Sequence, residues 1–210
     1  MANICCCKYV FFTKDESKDE LLRLHRNLTT IIQPPEVKID SEPGWLGHVA
    51  VWHNIDGENV SCRGTIEKLD DYEPDTNFFT LYSDTDWCPM DELLEAVVAQ
   101  YIGVSFVYLA EEPGFDIFTN TDETGVYIPE KYLLEIYGNA RIPEGWFPHR
   151  DKPECFEIRE YFSCLASFTD YCAKLTGKEF SRLEELRNYF ATTFYGADNT
   201  SVSIREFTAT

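Results

Sequence analysis

The chain has 210 residues with 37 Asp and Glu against 18 Lys and Arg, a net charge of -19 at pH 7, and 44% of its residues are hydrophobic. That length and apolar share can fill the core of one large domain, or of one domain with a sizeable extension, without disulfide staples. A field of that sign opposes direct binding to nucleic acid and to anionic membranes, and no apolar run is long enough to cross a bilayer.

Ile4 to Phe12 reads as a strand, with Ile4, Cys6 and Lys8 on one face and Cys5, Cys7, Tyr9 and Phe11 on the other. Ser17-Lys18-Asp19-Glu20 matches a capping box, and Leu21, Leu24, His25, Leu28, Ile31 and Ile32 follow at helical spacing until Pro34-Pro35 ends the run. Leu46 to His53 and Val60 to Leu69 read as strands joined by a loop around Asp56-Gly57, a hairpin signal. A polar turn over Asp70 to Asp75 leads into the β-prone strand Phe78 to Tyr82. Pro89 then opens a helix with the stripe Met90, Leu93, Leu94, Val97, Val98 and Tyr101, closed by Gly103 in a left-handed cap. Val104 to Leu109 returns as a strand. If the two strands lie parallel in one sheet, the crossover is right-handed and the stripe packs on the sheet.

Glu111-Glu112-Pro113-Gly114 reads as a turn into a strand over Phe115 to Thr119, and Gly125 to Ile128 as a further strand. Periodicity does not separate strand from helix over Lys131 to Tyr137. Two prolines and a glycine make Ala140 to Pro153 an irregular connection, followed by extended chain over Phe156 to Tyr161. Phe162, Leu165, Phe168, Thr169, Cys172 and Leu175 mark a helix ending at Gly177. Ser181-Arg182-Leu183-Glu184 is a second capping box, opening a helix with Leu183, Leu186, Tyr189, Phe190 and Phe194 on one side, and Ser201 to Phe207 closes as a strand. The fold class is therefore α+β. Residues 1–128 follow the order of a ferredoxin-like split βαβ sheet with helices on one face and an inserted β-hairpin region, and residues 129–210 form a C-terminal α+β extension.

The chain resembles the YubB-type ferredoxin-like domain proteins of bacteria, their plasmids and phages. The resemblance covers roughly residues 1–128. It rests on Met1-Ala2-Asn3-Ile4-Cys5, on the strand-to-helix junction Thr85-Asp86-Trp87-Cys88-Pro89, and on Tyr108-Leu109-Ala110-Glu111-Glu112-Pro113-Gly114. Ile4 stands where the family has Trp, and Cys88 and Met90 flank a single proline where the family has two. The resemblance implies the fold and a setting on mobile elements, and it supplies no catalytic residues.

The eight cysteines lie at 5, 6, 7, 62, 88, 155, 164 and 172 without framework spacing, and no basic segment precedes an apolar run at the N-terminus. Free thiols in a reducing cytoplasm and no signal peptide are expected. Cys5-Cys6-Cys7 cannot converge on one ion if neighbours point to opposite faces of a strand, and Cys164 and Cys172 read as core, so no metal and no cofactor is expected. Asp84 and Asn120 each begin an imperfect calcium-loop pattern with a wrong residue at an essential position, Cys88 and Pro89 in the first and Lys131 in the second. At that junction Pro89 reads as the first helical residue, with Trp87 packed beneath it. His48 and His53 fall on opposite faces of the expected strand, His25 lies in an apolar stripe, and His149 reads as a surface residue. Nucleophile elbows, phosphate loops and dinucleotide fingerprints are absent.

The charge is not evenly spread. Residues 36–128 hold 20 acidic residues against 3 basic ones, whereas 1–35 hold 4 against 5 and 129–210 hold 13 against 10. An acidic surface commonly serves solubility alone. Its concentration in the middle of the chain gives the leading functional reading, a non-enzymatic cytoplasmic interaction module that meets a basic protein partner, a DNA mimic being its sharper form. The candidate partner-binding residues are Glu67, Asp70, Asp71, Glu73, Asp75, Asp84, Asp86, Glu111, Glu112 and Asp116. The alternative is an enzyme or small-molecule binder with a pocket between the first unit and the C-terminal layer, lined by Trp146, Phe147, Tyr161 and Phe168. Direct nucleic-acid binding through the sheet is disfavoured by the scarcity of Lys and Arg in the central region.

Overall fold

The computed structural model describes residues 3–14, 17–32, 44–57, 60–138, 143, 145–146, 156–195 and 200–209. The chain is α+β and divides into two compact units, between Asp122 and Glu123; the sequence reading placed that division after residue 128.

The first unit contains β1 (Ile4–Thr13), α1 (Lys18–Ile32), α2 (Leu46–Trp52), β2 (Gly64–Leu69), β3 (Phe78–Asp86), α3 (Asp91–Val98), β4 (Val104–Glu112) and β5 (Ile117–Asn120). Its sheet has the order β2-β3-β1-β4-β5 with every neighbouring pair antiparallel. β1 is paired along both edges, Cys7 opposite Ser83 on one side and opposite Ala110 on the other. Alternation then decides its chemistry: Cys5, Cys7, Tyr9 and Phe11 are buried, while Ile4 and Cys6 are exposed. The buried set packs with Leu21, Leu24 and Leu28 of α1 and Leu93, Leu94 and Val97 of α3 in one core. Phe11 stacks on Phe79 of β3, ring centroids 5.1 Å apart. The Tyr9 hydroxyl accepts from the Met90 amide at 3.0 Å, which ties β1 to the start of α3.

The expected hairpin over residues 46–69 does not form. Leu46 to Trp52 is a helix, its turn continued by the His53 amide donating to the Val49 carbonyl. Leu46, Val49, Ala50 and His53 are buried, the i, i+3, i+4, i+7 spacing of a helix face. Valine and tryptophan content suggested a strand, and burial of that face outweighs local propensity. Only Gly64–Leu69 of the second expected strand is extended. His53 is thus a helix-terminal residue; its Nδ1 donates to the Val49 carbonyl at 2.8 Å. Its Nε2 accepts from the Tyr101 hydroxyl at 2.8 Å, which accepts from Asn27 Nδ2 at 2.7 Å. This chain of polar contacts joins α1, α2 and the segment after α3.

Two cap expectations also shift. The Ser17 amide donates to Lys14, and Glu20 pairs with Arg23 at 2.5 Å and takes the Ile102 amide, so no reciprocal box closes at α1. The competitor is the turn before β4, where Gly103 sits at φ 75° five residues beyond the end of α3. A Cβ on Gly103 would lie 2.2 Å from the Ser17 hydroxyl.

The second unit contains β6 (Tyr132–Gly138), β7 (Phe156–Phe162), α4 (Leu165–Thr176), α5 (Leu183–Thr193) and β8 (Thr200–Glu206). Its antiparallel sheet has the order β7-β6-β8. The segment left open over 131–137 is the central strand of this sheet, and Gly125 to Ile128, expected as a strand, has no regular structure. Gly177 ends α4 at φ 72° as its spacing required, its amide donating to Ala173 at 2.8 Å. At α5 the capping acid is Glu185 rather than Glu184, because the helix starts one residue later than expected and Glu185 is the side chain that reaches back to the Ser181 amide, at 2.8 Å. Phe168, Cys172, Leu186 and Phe190 meet Leu134, Ile136 and Ile158 in the core of this unit.

Phe11→Ala should lower unfolding free energy by about 3–5 kcal/mol in urea titrations, whereas Cys6→Ala on the other face of β1 should stay within about 0.5 kcal/mol. Burial holds His53 below the ordinary histidine value of 6.5. The neutral imidazole therefore stabilises the fold above that pH, and the contribution is lost as pH falls through the depressed folded value. The stability advantage of wild type over His53→Leu should narrow between about pH 7.5 and pH 5.

Candidate functional site

The ten acidic candidates spread along the first unit's sheet rather than forming one patch. Asp84 and Asp86 end β3 and Asp71, Glu73 and Asp75 lie in the loop before its start, while Asp70 bonds Thr80 and Glu67 lies beside the Ser83–Tyr82 step, between those two ends. Glu67, Asp70, Asp71, Glu73 and Asp75 belong to β2 and the loop into β3. Glu67 accepts from the Thr65 hydroxyl at 2.7 Å, and Asp70 pairs with Lys68 at 2.6 Å. His25 joins this end through a 2.9 Å contact with the Asp70 carbonyl, half-buried as its apolar surroundings implied. Asp71, Glu73 and Asp75 are exposed, and Phe78 at the start of β3 is an exposed ring at the same end.

The other group is built by three chain segments that converge at the start of β1. Cys6 faces Asp84 on one side and Glu111 on the other, and Ile4 faces Asp86. The Trp87 amide donates to the Asn3 carbonyl at 3.0 Å. The Asn3 side chain in turn fills the space where a Cβ on Gly114 would stand, 2.2 Å from its Nδ2. The buried carboxylate of Glu112 takes the Gly114 amide at 3.0 Å and also the Phe115 amide. Glu112 is therefore a positioning residue for the turn between β4 and β5. Glu111 is buried, and Asp116 is exposed at φ 59° on the same turn.

Two aromatic rings complete this end. Trp87 and Phe115 are 41% and 58% exposed and lie against each other, centroids 5.4 Å apart. Trp87 does not pack beneath the helix, as its sequence position suggested. Its backbone is left-handed, φ 74°, and this turns the ring outward. The junction is held by the Thr85 hydroxyl, with the Cys88 carbonyl at 2.7 Å and the Cys5 carbonyl at 3.2 Å, so α3 begins at Asp91, two residues after Pro89. Asp84 and Asp86 lie on a strand rather than in an ion-binding loop. No sequence pattern announces a left-handed Trp, which is why this ring was assigned to the interior.

The thiols respond to these surroundings. Crowding around Cys6, then the Asp84 carboxylate that takes its hydrogen bond, pushes the thiol up to about 11 although the residue remains reachable from solvent. Cys5 and Cys7 share the inner face with their sulfurs 3.6 Å apart, and the contact with Cys7 together with burial keeps Cys5 protonated. Among the described residues no three His, Cys, Asp or Glu side chains are placed to hold a metal ion. Cys164 is not core: it caps α4, exposed, and Ser167 lowers its thiol through the hydroxyl and the amide. Trp146 and Phe168, expected in a pocket, are buried in the core of the second unit, Tyr161 is partly exposed, and Phe147 and His149 lie outside the described residues.

Among the described residues no helix is long and apolar enough to cross a membrane. No protein-family model matches the chain, and neither curated proteins nor solved structures provide a match.

Peptide mapping after iodoacetamide treatment at neutral pH should find Cys164 alkylated well before Cys6, because only thiolate reacts. Asp84→Asn removes the negative partner and should accelerate alkylation of Cys6; an unchanged rate would contradict the cross-strand contact.

Proposed function

We propose that this chain is a non-enzymatic cytoplasmic interaction module that docks a basic segment of a partner protein on the patch formed by Trp87, Phe115, Asp84, Asp86 and Asp116. The observation that carries this reading is Trp87, held at φ 74° with its ring exposed. A non-glycine residue in the left-handed region costs on the order of 1–3 kcal/mol and is retained where the surroundings over-determine it, often at a binding site. Here the strain does not bury the indole. It presents a large, rigid ring beside a second aromatic and several carboxylates, which suits an Arg or Lys through the ring face and the acids together. Glu111 flanks Cys6 across from Asp84, and Glu112 shapes the turn.

The first unit supports a ferredoxin-like reading of the YubB type, because a split βαβ chain yields the antiparallel order β2-β3-β1-β4, with β5 as an addition at the edge. The gathering of Asp84, Asp86, Glu111, Glu112 and Asp116 around the start of β1 favours a partner gripped there over a phosphate-like row of carboxylates. Asp70, Asp71, Glu73 and Asp75 then serve mainly solubility.

The test is capture of basic proteins from a cell lysate by the tagged chain at low and at raised salt, with mass spectrometry of what is retained. Trp87→Gly accepts the left-handed backbone while deleting the ring, and should weaken capture by about tenfold or more. Joint charge reversal of Asp70, Asp71, Glu73 and Asp75 should leave it within about threefold. Capture that survives Trp87→Gly unchanged, or that is insensitive to salt, overturns the reading.

A further inference from the structure

The second unit carries a feature of opposite charge. An open groove of about 310 Å3 lies between α5 and β8, with Phe190, Ala191, Val202 and Ile204 along it and Arg187 and Arg205 at its sides. In β8 the residues Val202 and Ile204 stand opposite Ile136 and Leu134, whose side chains belong to the core. Ser203 and Arg205 alternate with them and point to the other face. Residues of both faces line one groove, which places it along the outer edge of β8 rather than over a single face. β8 is an edge strand, paired with β6 on its inner side, and Val202 to Arg205 are all partly exposed.

The two edges of this sheet differ. β7 exposes Glu157, Arg159 and Glu160, charges that discourage pairing with another chain. The middle of β8 is Val202-Ser203-Ile204, with a wall provided by α5 and a cationic side chain on each element. Among the described residues Arg187 makes no hydrogen bond or ion pair. The Arg205 guanidinium is oriented along its own strand, Nε donating to the Ser203 hydroxyl at 2.8 Å. An edge strand beside a helix, with apolar pockets for alternate side chains, is the arrangement by which sheets accept an added peptide strand. Two arginines, planar donors suited to carboxylates, select the charge of that peptide.

We propose that the groove between α5 and β8 receives an extended, carboxylate-bearing segment of a partner protein, which adds to the sheet as a strand alongside β8. The inserted segment places alternate apolar side chains toward Phe190, Ala191, Val202 and Ile204 and its acidic ones toward Arg187 and Arg205. This site lies within the second unit and uses none of the residues assigned to the basic partner.

The test is fluorescence anisotropy of the full chain with a labelled, end-capped peptide of alternating Val and Glu, seven residues long to match β8. Saturable binding is expected, with Arg187→Glu weakening it by about tenfold or more. The same peptide N-methylated at alternate amides should lose binding, since strand addition depends on backbone hydrogen bonds, and the Val and Lys counterpart should not bind. Trp87→Gly should bind the acidic peptide as wild type does, so this result stands or falls separately from the basic-partner reading. No saturation up to about 1 mM peptide, equal binding of the methylated peptide, or displacement of the peptide by self-association in sedimentation experiments would each overturn the proposal.

Discussion

The first unit depends on the double pairing of β1. A strand bonded along both edges has no freedom of register, and a slip of one residue would send Cys5, Cys7, Tyr9 and Phe11 to the outer face and Ile4, Cys6 and Lys8 inward. The lysine alone makes that exchange costly, since a buried ammonium needs a partner. Side-chain contacts reinforce the register. Tyr9 reaches the amide at the start of α3, and Thr85 links the Cys5 carbonyl to the Cys88 carbonyl. The same register that seals the core also sets Asp84 and Glu111 on either side of Cys6 and brings Asn3 to Trp87.

Elements governed by one strong local signal were legible in the sequence. β1 announced its two faces by alternation, α1 and α4 by apolar stripes, and the end of α4 by Gly177. The failures occurred where two local signals disagreed. Residues 46–53 have strand-like composition and helix-like spacing, and burial of Leu46, Val49 and Ala50 settled the conflict for the helix. The capping box at Ser17 met an alternative partner far along the chain, the turn at Ile102 and Gly103, which no local pattern reveals.

The site was legible in part. Acidic side chains could be chosen by type, and five of them do gather at the start of β1, but telling these from the five along β2 and its loop required the sheet order. The aromatic half of the patch was hidden, because exposure of Trp87 follows from a backbone torsion and that of Phe115 from a turn shaped by the buried Glu112. The groove in the second unit was hidden for a different reason. Arg187 and Arg205 are ordinary residues of an amphipathic helix and a short strand, and they acquire a joint chemistry only because β8 lies at the edge of its sheet.

The central place of β1 also bears on how the protein is made. The Thr85 hydroxyl that bonds the Cys5 carbonyl lies 80 residues further along the chain. At translation speeds of about 5–20 residues per second, the strand waits roughly 4–16 seconds for its first neighbour, and longer for β4. During that interval an apolar segment with three adjacent thiols has neither of its sheet partners. Sequestration by a chaperone, and protection of those thiols from oxidation, would therefore matter most before the protein is complete.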